Sequence, residues 1–248
     1  MNATMLTFLS VLIVSLISFV GVFTLAVNAE RLRRILIYLI SFSAGALLGD
    51  VFIHLLPELV KSGTFTLTTS LVILGGILLF FVLEKVIHWQ HCHMPLTKHH
   101  VHSFAYMNVI GDALHNFIDG MIIAGSYLVS VPAGIATTIA VVLHEIPQEI
   151  GDFGVLIHAG FSKGKALFLN FVSALAAVLG ALVALFLSGN IEGLERFLVP
   201  FAAGGFIYIA GSDLIPELHK HNHLKQSWLQ TLAFIAGIAV MALLLLLE

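Results

Sequence analysis

Ten residues, GDALHNFIDG (111–120), set Asp112, His115, Asn116 and Asp119 at i, i+3, i+4 and i+7, the spacing that stacks side chains on one face of a helix. A second stretch, HEIPQEIGDF (144–153), has His144 and Gln148 four apart, Glu145 and Glu149 four apart, and Asp152 following near the same side. Both are embedded in apolar sequence, and no Lys or Arg lies close by to neutralise the acids. A lone intramembrane His or Asn ordinarily serves helix packing. Four such groups in register, two of them carboxylates, instead require a compensating charge, and the natural one is a bound cation. Imidazole with carboxylate and amide oxygen suits a borderline divalent ion such as Zn²⁺, Fe²⁺ or Mn²⁺, whereas thiolates that would favour Cu(I) are missing from the cluster. Several acids close together also leave room for two ions that share a bridging carboxylate.

The elements that must position these residues are two apolar segments, 104–128 and 131–157, joined by a few residues around Ser130–Pro132. So short a link makes them antiparallel neighbours whose polar faces meet. His115 and Asp119 lie about a dozen residues before the turn and His144 and Gln148 about as far after it, which at ~1.5 Å per residue puts both sets near mid-membrane. Pro147 cannot donate to the carbonyl of Leu143 and should kink the helix there. The freed carbonyl and the kink are expected to open a cavity beside the ligands.

Composition fixes the class. At 59% hydrophobic, 10% charged and a mean hydropathy of +1.04, the 248-residue chain is far too apolar for a soluble globule. The fold class expected is all-α, a polytopic membrane protein with eight transmembrane helices at 5–27, 35–59, 66–87, 104–128, 131–157, 165–188, 197–219 and 225–247. One transmembrane domain, 1–248, accounts for the whole chain. The first segment exceeds a signal-peptide core and has no Lys or Arg before it, so it is expected to be a retained span. Cys92 is the only cysteine, which excludes an intrachain disulfide. With eight spans, one side collects Arg31, Arg33, Arg34, Lys85, Lys98, Lys163, Lys165, Lys220 and Lys225, the other only Lys61 and Arg196. The positive-inside rule makes the richer side cytoplasmic and puts both termini outside.

HLLPEL (54–59) at the end of the second span is echoed by DLIPEL (213–218) at the end of the seventh, each after a glycine-containing run. Those two spans cross in opposite directions, so the echo relates the first three spans to the last three as an inverted repeat, a 3+2+3 arrangement common in transporters. Asp50, His54 and Glu58 then lie toward the outer end and Asp213, Glu217 and His219 toward the inner end, an entrance and an exit. On the cytoplasmic side, a loop spanning 88–103 carries His88, His91, His93, His99, His100 and His102, and HKHNH (219–223) adds three more histidines. A weakly metal-binding loop is one reading. The alternative is a membrane-embedded metalloenzyme using the cytoplasmic histidine clusters, but it leaves the mid-membrane carboxylates without a purpose. A zinc protease is weaker still, because HEIPQ lacks the second His of H-E-x-x-H.

HNFIDG (115–120) and HEIPQEIGDF (144–153) resemble the paired motifs of the Zrt/Irt-like (ZIP) divalent-metal transporters, in the branch whose fifth span reads HEIPHEIGDF. With GDVFIHLLPEL (49–59) and the histidine-rich loop, the resemblance extends over essentially the whole chain. It implies a transporter that imports a divalent metal, zinc first, toward the cytoplasm, and leaves Fe²⁺, Mn²⁺ and Cd²⁺ open as substrates. It also implies a homodimer, and an elevator-like motion of spans one, four, five and six against the rest. By the resemblance, His115, Asp119, His144 and Gln148 hold a first ion and Asn116, Asp119, Glu145 and Gln148 a second, with Glu149 and Asp112 as further candidates. Gln148 is the departure: the motif has His or Glu there, and a neutral amide oxygen is a weaker ligand and a poorer bridge.

Overall fold

The computed structural model describes residues 2–24, 29–89, 98–191, 193–219 and 224–247; among these the chain is helical almost throughout and contains no strand. Helix α1 is Ala3–Ile17, carried on through Ser18–Val20 to Gly21–Thr24. Helix α2 begins as Ala29–Gly49, widens into a π turn over Asp50–Leu55 and closes as Leu56–Lys61. Helices α3 (Leu67–Trp89), α4 (Lys98–Val129) and α5 (Val131–His158) follow. Helix α6 is Lys163–Ala174 and, after a break at Leu175, Ala176–Ser188. Helix α7 is Glu195–Tyr208, a π turn over Ile209–Leu214, then Ile215–His219, and α8 is Leu224–Leu244.

Local chemistry sets several of these boundaries. Ser130 ends α4 and caps α5, its side chain accepting from the backbone N–H of Ala133, with Pro132 in the first turn where a missing N–H costs nothing. The link between α4 and α5 is thus a single residue. Each π turn stops two positions short of a proline, Pro57 in α2 and Pro216 in α7. A wider turn there accommodates a residue that has no N–H to give and a ring that would strike the preceding turn.

Six helices, α1, α2, α3, α6, α7 and α8, are long and apolar enough to cross a membrane by length and composition. Helices α4 and α5 are longer than most of these, at 32 and 28 residues, but carry the acidic and histidine side chains and are not among the six. The protein is a multi-pass membrane protein.

Three helix pairs touch backbone to backbone. In α2 and α8, Gly45 lies against the carbonyl oxygen of Phe234 and Gly237 against that of Phe42. In α3 and α7, Gly76 meets the carbonyl of Phe201 and Gly204 that of Ile73; in α4 and α6, Gly120 meets Ala177 and Gly180 meets Phe117. A Cβ at any of these six positions would overlap the facing oxygen, which is why small residues mark close crossings in membranes. The offset that carries His54 to Asp213 in the sequence echo also carries Gly45 to Gly204, Phe42 to Phe201 and the π turn at 50–55 to the one at 209–214.

Candidate metal centre

Helices α4 and α5 pack side by side and turn their polar faces together. His115, Asp119, His144 and Glu145 each bring one ligand atom into a group whose atoms all lie within 4.8 Å of one another. His115 Nε2 is 3.2 Å from His144 Nε2, 3.6 Å from Asp119 Oδ2 and 3.4 Å from Glu145 Oε1. His144 Nε2 is 3.1 Å from the same Asp119 oxygen and 3.5 Å from the same Glu145 oxygen. Four donors at 2.0–2.1 Å around a tetrahedral Zn²⁺ stand about 3.3 Å apart, and these five separations match that length.

The shell around these atoms suits a cation as well. His144 Nδ1 is 3.1 Å from the carbonyl oxygen of Ala140, a partner that can only accept, so a proton on Nδ1 would leave Nε2 free to bind a cation held by the carboxylates. Asp119, His144 and Glu145 are buried, and only His115 is partly open. Phe80 of α3 meets His115 edge-on with ring centroids 5.8 Å apart, and Phe206 of α7 meets His144 at 6.0 Å. Apolar rings thus pack against both imidazoles.

Gln148 and Asn116, the two amides of the expected ligand set, are both bonded to Asp112. Gln148 Nε2 donates to Asp112 Oδ1 at 3.3 Å, and Asn116 Nδ2 donates to the same oxygen at 2.9 Å. Asp112, Glu145 and Glu149 form a second, all-carboxylate group, also within 4.8 Å, in which Glu145 is shared with the first. Asp112 Oδ2, both oxygens of Glu149 and Asn116 Oδ1 are buried with no hydrogen-bond partner. One helical turn on, Asp152 accepts from Asn108 Nδ2 at 2.7 Å, and Asn170 of α6 donates to the backbone carbonyl of Glu149 at 3.1 Å.

The expected entrance and exit residues differ in exposure. Asp50 and His54 are buried: Asp50 accepts from Thr137 of α5 at 3.1 Å, and His54 Nε2 lies 2.8 Å from the carbonyl oxygen of Met241. Glu58 and Glu217 are half-buried, while Asp213 and His219 are exposed. A cavity of about 200 Å³ runs from His115, Asp112 and Gln148 past Phe80 to Glu84 and Asp213. The cavity thus joins the centre to the exposed Asp213, whereas Asp50 and His54 are buried. The side chains of His88, His91, His93, His99, His100 and His102 lie outside the described residues.

Several residues near the centre give no motif in the sequence. Glu84, an acid in the last part of the apolar third segment, accepts from the hydroxyl of Tyr208 across α3 and α7. Its charge in that run was the available signal. Ser43 and Thr137 are small hydroxyls in apolar helices, and such residues are too common there to stand out. Pro147 lies inside α5, which is helical from Val131 to His158, and the carbonyl of Leu143 that Pro147 leaves without a donor faces Ser43 Oγ of α2 at 2.5 Å. The freed group is met by a neighbouring helix, and the cavity beside the centre is lined by Asp112, His115 and Gln148.

Comparison with known proteins places the chain. The family described as ZIP Zinc transporter matches residues 1–104 and 90–245. The protein is 33% identical over 272 residues to Zinc transporter ZIP13 of Danio rerio, covering 88% of this chain and 77% of that one. It is 32% identical to the Zinc transporter ZIP13 homolog of Drosophila melanogaster, covering 86% and 78%. With Zinc transporter YKE4 of Saccharomyces cerevisiae it shares 34% identity, over 86% of this chain and 72% of the relative. The paired motifs, the ligand cluster between two antiparallel helices and these matches agree: the chain belongs to the ZIP zinc transporter family, a family of transporters rather than enzymes.

Proposed function

We propose that the protein carries divalent metal, zinc first, across the membrane toward the cytoplasm through the centre between α4 and α5. The observation that carries this reading is the set of His115, Asp119, His144 and Glu145 atoms, whose Nε2–Nε2 and Nε2–carboxylate separations of 3.1–3.6 Å fit Zn²⁺. In this reading α4 and α5 are also spans, which makes eight crossings with both termini outside. The glycine crossings and the paired π turns, related by the offset of the sequence echo, support the 3+2+3 inverted repeat. The buried Asp50 side and the cavity leading to Asp213 support an inward-open conformation.

The unpartnered oxygens of Asp112 and Glu149 support a second ion bridged through Glu145. Its ligands are carboxylates, so it accepts harder ions such as Mn²⁺ or Fe²⁺ more readily than the histidine set does. The homodimer rests on the family resemblance alone. Uptake of radioactive zinc into proteoliposomes of the purified protein tests the reading, with Fe²⁺, Mn²⁺ and Cd²⁺ as competitors. Zinc accumulation above that of protein-free vesicles is expected; its absence in a folded, correctly inserted preparation overturns the assignment.

A further inference from the structure

The geometry points to Ser43 of α2 as a positioning residue for the metal centre, acting through the backbone carbonyl that Pro147 strips of its donor. The inference rests on the reading of His144 and Glu145 as ligands.

Ser43 is buried, and its hydroxyl stands near two acceptors: the carbonyl of Leu39 in its own helix at 2.8 Å and that of Leu143 in α5 at 2.5 Å. A hydroxyl has one proton to give. In a regular helix the Leu39 carbonyl already receives the backbone N–H of Ser43. Leu143 would receive that of residue 147, and residue 147 is a proline. The proton therefore goes to Leu143, because leaving a carbonyl that has no backbone donor unpaired is the costlier alternative. Leu143 directly precedes His144 and Glu145, so the bond fixes the peptide from which both ligands hang. It also ties α5 to α2, the helix that holds Asp50 and its bond from Thr137.

Ser41 is the internal control. It is equally buried on the same helix, but its hydroxyl bonds only to the carbonyl of Ile37, at 2.8 Å.

The test uses the full chain and five variants: Ser43→Ala, Ser43→Thr, Ser41→Ala, Pro147→Ala and the Ser43→Ala/Pro147→Ala pair. Two quantities are read, the apparent KM for zinc in proteoliposomes and the melting temperature in detergent with and without zinc. Ser43→Ala is expected to raise KM by about threefold to tenfold, the range of one interhelical hydrogen bond in a membrane, with Vmax changed less. Ser43→Thr, which keeps the hydroxyl, and Ser41→Ala should stay near the parent. In the Pro147→Ala background a backbone N–H again serves Leu143, so Ser43→Ala should add nothing. Equal costs for Ser43→Ala and Ser41→Ala, or an undiminished cost in the Pro147→Ala background, overturn the proposal. If Pro147→Ala does not fold, the three serine variants decide alone. A parent protein with no zinc-dependent melting shift would instead count against the metal centre itself, and the zinc-free melting cycle would still report on the Ser43–Pro147 pairing.

Discussion

The Nε2 atoms of His115 and His144 face each other at 3.2 Å. That separation suits two nitrogens sharing one proton or one cation, and the Asp119 and Glu145 carboxylates lie within 3.1–3.6 Å of both. His115→Ala or Asp119→Ala should reduce zinc uptake into proteoliposomes at least tenfold, since either removes one of four ligands. Undiminished transport in both variants would sink the assignment.

Gln148 serves Asp112 through its amide nitrogen and stands beside the carboxylate group. Gln148→His places an imidazole there and should shift preference toward zinc over manganese, because imidazole suits zinc better. Competition of Mn²⁺ against radioactive zinc reads this directly. An unchanged ratio would mean that residue 148 does not touch the ion.

Asp112→Asn and Glu149→Gln dismantle the second group without touching the histidines. Elemental analysis of the purified, metal-saturated protein should show bound metal falling from about two ions per chain to about one. The zinc-induced melting shift should persist, since the first group is intact. Loss of both together would show that the two groups are one site.

Gly45→Val or Gly204→Val forces a side chain into a facing carbonyl oxygen. Each should destabilise the protein by about 1–3 kcal/mol or more, the usual range for overpacking, seen as a lower melting temperature in detergent. Gly75→Val, on the same helix as Gly76 but with nothing within 4 Å, is the matched control and should melt near the parent.

Much of the centre was legible in the sequence because helical spacing alone brings Asp112, His115, Asn116 and Asp119 to one face, and a one-residue link brings His144 and Glu145 opposite them. Which atoms share an ion was not legible. Gln148 and Asn116 have ligand-type amides, yet both turn their nitrogens to Asp112, a choice made by side-chain rotation that no spacing encodes. The π turns were hidden for a related reason: one extra residue in a turn leaves an apolar segment just as apolar. The donor for Leu143 was hidden because it comes from a helix distant in sequence, through a serine that no local pattern distinguishes.

The reciprocal glycine crossings also limit how the molecule can change shape. Where a glycine sits under a carbonyl on both partners, sliding one helix along the other would bring larger neighbouring residues onto that backbone, so α2 with α8, α3 with α7 and α4 with α6 are expected to move as pairs. Helix α5 touches α2 without such a crossing, through Ser43 to Leu143 and Thr137 to Asp50. A shift of α5 along α2 would break both bonds, within reach of the His144 and Glu145 side chains.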